Sequence, residues 1–189
     1  MSLTKINFTG QPTLSGANLP TGSVLQTVVQ QETGATTFTA SGTSDKLLLA
    51  SGAADSTSHL SLSITPQSTS SKIFLTASVF YEGTADVHQY LWFLYRDSTK
   101  LAAPVAGSRG RGIKMSSFGH STSDANSTPD SANFSYYDSP NTTSAITYAV
   151  AFSNTTSGVV VYLNRTINNA DSNVYERGVS VLMAQEIAG

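Results

Sequence analysis

Few side chains in this sequence could do chemistry. There are three histidines, His59, His88 and His120, and 12 carboxylates, with no cysteine. The missing cysteine removes disulfides, thiol nucleophiles, thiolate metal sites and redox chemistry together. The histidines form neither an H-x-H nor an H-E-x-x-H arrangement, and a zinc site needs three or four convergent donors. His120 near Asp124 and Asp130 could hold a hard cation through oxygens, but a solvated loop is the expectation, and no metal or cofactor is expected. Most of the acids, among them Asp45, Asp55, Asp97 and Asp171, sit in turn-like stretches, where Asp bonds its own backbone. There is no nucleophile-elbow G-x-S-x-G. Residues 107–112 (GSRGRG) contain neither the P-loop lysine pattern nor dinucleotide spacing. They read as an exposed loop in which Arg109 and Arg111 could touch an acidic sugar, a lipid phosphate or a neighbouring subunit. No catalytic residue is assigned, and the protein is expected not to be an enzyme.

The aromatic residues say more. Tyr90, Trp92, Phe93 and Tyr95 crowd one short segment, with Tyr81 close by. Such a set packs a core, a subunit interface or a sugar-stacking platform. Tyr90, Trp92 and Leu94 are taken as the candidate subunit interface. Six Asn-x-Ser/Thr triplets, at Asn7, Asn126, Asn133, Asn141, Asn154 and Asn164, follow from composition. The chain has 29 Ser and 24 Thr among 189 residues.

These residues must be carried by a scaffold, and composition names its class. Charged residues make up 12% of the chain, about half the usual ~25%, and the net charge is −2. That balance argues against a nucleic-acid partner, because nucleic-acid modules are clearly basic. A hydrophobic share of 39% with 8 Tyr, 8 Phe and a Trp is too high for a disordered chain. Water is met by hydroxyls, as in all-β proteins that work outside the cytoplasm or in particles. No stretch approaches the ~20 apolar residues of a membrane helix, so membrane insertion is not expected. Residues 1–22 lack a basic n-region and an apolar run, so no secretory signal is expected either.

Residues 1–22 read as an extended arm. Leu3, Ile6 and Phe8, scattered among Gly and Pro, are its candidate anchoring residues. Residues 23–189 read as one head domain. Strand patterns cover 24–30, 35–40, 58–64, 72–81, 87–96, 112–118, 131–138, 145–153, 158–164 and 174–187. The clearest is 72–81, where Ile73, Leu75, Ala77, Val79 and Tyr81 share a parity. Residues 87–96 are apolar on both parities, so a loop or another subunit must cover their second face. In 174–187, Val179, Val181, Met183 and Ile187 share a face. No window supports a long amphipathic helix. Eight to ten strands with turns about every ten residues read as an antiparallel β-sandwich, with a jelly roll preferred.

Several segments carry a resemblance. They are 19–26 (LPTGSVLQ), 62–66 (LSITP), 68–73 (STSSKI), 93–97 (FLYRD), 134–140 (FSYYDSP), 161–165 (VYLNR) and 182–187 (LMAQEI). Their order resembles the C-terminal head domain of tail-fibre-like virion proteins of bacteriophages, of the aquatic and cyanobacterial type, over residues 19–189. The resemblance implies a β-sandwich head, a homotrimer, and a place on the surface of a phage particle. In longer relatives a fibre shaft precedes this domain. Here some 20 residues do, so a short arm is expected to clip the head to another phage structural protein of tail or capsid. Two functions follow as expectations. One is a short fibre or spike whose head attaches to host surface glycans. The other is a capsid decoration (cement) protein that bridges capsomers.

Overall fold

Alternating side-chain parity dictates what forms here. The structure, a computed structural model, describes residues 19–40, 45–47, 59–84, 90–116 and 127–189. Twelve strands cross them: β1 (Val24–Glu32), β2 (Thr36–Thr39), β3 (Lys46–Leu47), β4 (Ser61–Ile64), β5 (Lys72–Gly83), β6 (Tyr90–Arg96), β7 (Thr99–Leu101), β8 (Lys114–Ser116), β9 (Asp130–Asp138), β10 (Ile146–Ser153), β11 (Val160–Leu163) and β12 (Ser180–Ile187). There is no helix among the described residues, so none is long and apolar enough to cross a membrane. All pairings are antiparallel. The all-β architecture expected from the sequence is present, in a sandwich-like form.

The first sheet is organised around β5. Ile73 to Ser78 pair with both β12 and β9, and Tyr81 pairs with both β11 and β9. Strands β12 and β11 therefore follow one another along one edge of β5, with β9 on the other. Beyond them lie β1, on β12, and β2, on β11. The second sheet is organised around β10 and β6. Along β10, β4 and β3 follow one another opposite β6; along β6, β7 and β8 do so opposite β10. Each sheet is thus four ranks wide.

One core fills the space between the sheets. Ile73, Leu75, Ala77, Val79 and Tyr81 of β5 meet Tyr90, Trp92 and Leu94 of β6 and Tyr148, Val150 and Phe152 of β10. Trp92 sits 4.7 Å from Tyr81 and 5.6 Å from Phe152, centroid to centroid. Each buried polar tip is satisfied, as such rings require: Trp92 Nε1 donates to Ser116 Oγ, and the Tyr148 hydroxyl donates to Asp138.

Three expectations change. Tyr90, Trp92 and Leu94, the candidate subunit interface, lie in the core of a single chain and are 0% exposed. The opposite face of β6 is also covered within the chain: Ala102 and Ile113 pack on Leu91, Phe93 and Ala151, and Lys100 Nζ stands 3.7 Å above the Phe93 ring. A loop, not another subunit, is the second cover. The last strand begins at Ser180, not 174; Val181, Met183 and Ile187 do share a face, and it is the outer one, with Leu182 and Ala184 in the core. Finally, β7 forms outside the strand patterns of the sequence, between those at 87–96 and 112–118. It exists because Asp97, at φ 49°, reverses the chain so that Thr99–Leu101 pairs with β6.

The fold has a near and a far end. The chain enters where Gly22 N donates to Ala188 O, beside the Lys72 end of β5. The far end is where Thr84 N donates to Val160 O. At ~3.3 Å per residue, β5 separates the ends by ~36 Å. Arg96, bound to Asp138, marks the near end of β6; Tyr90, donating to Thr84 O, marks the far end.

Two predictions follow from this core. Trp92→Ala should cost about 3–5 kcal/mol of unfolding free energy in a urea titration, as a large ring removed from a packed interior does. The second concerns alkali. Burial, then the Asp130 charge, push the Tyr81 hydroxyl up to about 12. Burial followed by Tyr81 raises Tyr90, and burial followed by Asp138 raises Tyr148. These folded-state values exceed the unfolded ~10, so the stability they contribute is whole below pH ~10 and is lost as pH rises toward 12. The melting temperature, followed by circular dichroism, should be level from pH 7 to 9 and fall steeply above 10.

Candidate functional site

Two loop-built clefts lie on the outer faces of the sheets, toward the far end. The first rests on β6. It is a cleft of about 340 Å³ lined by Leu91, Lys100, Val105, residues 107–111 and Ser153 to Thr155, with Asp45. The strands place its floor. Leu91 projects outward because Trp92 projects inward, and Thr155 follows the end of β10. The wall, residues 103–112, is tied down by backbone bonds. Ile113 N donates to Trp92 O at 2.7 Å, and Gly112 lies so close that a Cβ would stand 2.9 Å from the Lys114 carbonyl oxygen.

The charges of this cleft are unequal. Lys100 Nζ is paired with Asp45 Oδ1 at 2.9 Å, and the Tyr95 hydroxyl donates to Asp45 Oδ2 at 2.7 Å. Burial, with Asp45 next, pushes Tyr95 up to about 12. Both carboxylate oxygens of Asp45 are thereby engaged. Arg109 and Arg111 have no ion pair with any carboxylate among the described residues.

The second cleft is a polar cup of about 310 Å³ in residues 165–179, the segment between β11 and β12. Its lining includes Asn168, Asn169, Asp171, Tyr175, Glu176 and Arg177. Asn164 makes the break in the strand line. It adopts φ 58°, which Asn tolerates better than most residues. Its Nδ2 donates to the carbonyls of Glu32 and Gly34, and its Oδ1 accepts from Ser180 Oγ. Glu82, buried on the outer face of β5, accepts from Ile167 N at 2.7 Å and from Thr128 N at 3.0 Å. Gly178 lies flat on the Phe80 ring, where any Cβ would collide. A third groove, of about 450 Å³, lies at the near end beside Leu19 and Thr21.

Of the residues singled out in the sequence, the structure brings Arg109 and Arg111 together in the first cleft. His59 bonds Glu32 at 3.0 Å and stacks edge-on against Phe38, a structural link between β1 and the segment before β4. Asp130 accepts from the Tyr81 hydroxyl. Leu3, Ile6, Phe8, His88, His120 and Asp124 lie outside the described residues. Among the described residues, no three His, Asp or Glu side chains converge on a point that could hold a metal. Lys100, Asn154 and Glu82 carry no local sequence signal, because register and loop packing bring them into place. No protein-family model matches this chain, and no curated protein matches it.

The buried Glu82 supplies a direct test. Glu82→Gln presents an amide donor where two backbone N–H groups need acceptors, and should cost about 1–3 kcal/mol. Hydrogen exchange should quicken at Ile167 and Thr128 while the amides of β6 and β10 stay protected.

Proposed function

We propose that the protein is a non-enzymatic structural protein of a bacteriophage virion, a short fibre- or spike-like head that its N-terminal arm anchors to the particle and that attaches to glycans of the host surface. The observation that carries this reading is the placement of the two loop-built clefts toward the end furthest from the point where the chain enters. An attachment head works with its outward end, and the described chain enters the sheets at the other. The resemblance to tail-fibre-like head domains points the same way.

The strand order supports a jelly roll as the topology. With each rank counted as one strand in chain order, one sheet runs 1-8-3-6 and the other 2-7-4-5. That is the pairing two Greek keys produce when rolled together.

Homotrimer formation belongs to the same proposal, on a different surface from β6. The outer face of the first sheet, across β1, β12, β5 and β9, carries Val29, Val181, Met183, Phe74 and Tyr137 among Thr, Ser, Gln and Asn. Among the strand residues of this face, the charges are Lys72 at the near rim and Glu82 beneath the 165–179 loop, which itself carries Asp171, Glu176 and Arg177. Val29 and Tyr137 are 54% and 57% exposed. Interface cores are depleted in charge and enriched in aromatic residues and Met, and a neutral face meets a copy of itself or a neighbour without like-charge repulsion.

Two experiments test these statements. Immunogold labelling with antibodies to the purified chain should decorate tail or vertex projections of the particle. Label at capsomer junctions would establish the capsid-cement reading instead. In sedimentation equilibrium the full chain should be a trimer. Val29→Glu with Tyr137→Glu should shift it to monomer while the near-UV circular dichroism of the folded head is kept, since both side chains are exposed in the single chain.

A further inference from the structure

We infer that the cleft on β6 binds a saccharide bearing an oxyanion, a carboxylate, sulfate or phosphate, with Arg109 and Arg111 as its anion-recognising residues. The inference rests on the attachment reading and narrows its ligand. The electrostatics come first. The cleft gathers Lys100, Arg109 and Arg111 against one carboxylate, Asp45, in a chain whose net charge is −2. Asp45 is committed to Lys100 and Tyr95. The two arginines are left with guanidinium donors that no described carboxylate engages, and a guanidinium matches a planar or tetrahedral oxyanion two-pronged.

The shape agrees. About 340 Å³ is near the lower end of ligand clefts and suits one or two sugar rings. Val105, 74% exposed in the lining, gives an apolar surface for the C–H face of a ring. Ser108, in the lining, brings a hydroxyl beside it. The wall is already held in position. Gly110 and Gly112 lie tight against Leu91 and the β8 backbone, and Ile113 is bonded to β6, so binding does not have to order the loop. The cleft also sits on the outer face of the second sheet, which stays open when subunits associate through the first.

The test is a calorimetric titration of the full chain. The probes are methyl β-glucuronide, galactose 6-sulfate, glucose 6-phosphate, inorganic sulfate and the uncharged methyl β-glucoside. At least one charged sugar should bind at least about tenfold more tightly than the glucoside, and its affinity should fall as salt is raised. Comparison with inorganic sulfate shows whether the sugar ring contributes. Arg109→Ala and Arg111→Ala should each weaken the charged sugar about tenfold or more, the loss of a charge-assisted bond, with melting temperature unchanged. Equal binding of the charged sugars and the glucoside, binding unaffected by either substitution, or no binding of any charged sugar would overturn the inference. Its failure and that of the attachment reading come apart. A neutral sugar bound equally by the chain and both variants overturns the anionic cleft and leaves attachment standing. Gold label at capsomer junctions overturns attachment while the titration still reports on the cleft.

Discussion

The contact between Tyr81 of β5 and Trp92 of β6, 4.7 Å apart, sets the distance between the two sheets. Rings of this size bury large apolar areas but carry polar tips, so the partners around them are constrained. Phe152 closes on Trp92 from β10, and Tyr90 closes on Tyr81. Ser116 must then stand where Trp92 Nε1 can reach it, which brings β8 to the edge of β6. Gly83 leaves room for the Tyr90 hydroxyl on its way to Thr84 O. The strand edges at the far end are consequences of this one packing.

Buried carboxylates do for the loops what the rings do for the sheets. Glu82 gathers the segments at Thr128 and Ile167. Glu186, on the inner face of β12, accepts from Gln67 N and Gln26 Nε2 at the near end. Asp138 joins β9 to the second sheet through Arg96 and Tyr148. Burying such groups is costly unless each oxygen is bonded, and here the bonds go largely to loops and strand ends. A low-charge chain thus spends several of its carboxylates inside, and its outer loops gain fixed positions.

The two outer faces divide accordingly. One is neutral and broad, the other carries Asp45, Lys100 and the arginine loop. In the proposed assembly, the first joins subunits and the second meets the host. The doubly apolar character of β6 reflects neither role, since it is a strand with the core on one side and its own connecting loop on the other.

The fold class and most strands can be read from the order of residues alone. Alternation in 72–81, 131–138 and 145–153 reads directly as half-buried strand, because each residue's face depends only on its parity. The apolar pattern over 87–96 implied two covers, which the described part, 90–96, has, and the sequence singled out Arg109 and Arg111. What covers that strand, which parity of β12 faces the core, and where Asn154, Lys100 and Glu82 stand were decided by tertiary structure. The physical reason is register. Parity divides a strand's residues into two sets, but only pairing across the sheet chooses which set turns inward. A cleft built from β10, β7 and a loop has no period in the sequence at all.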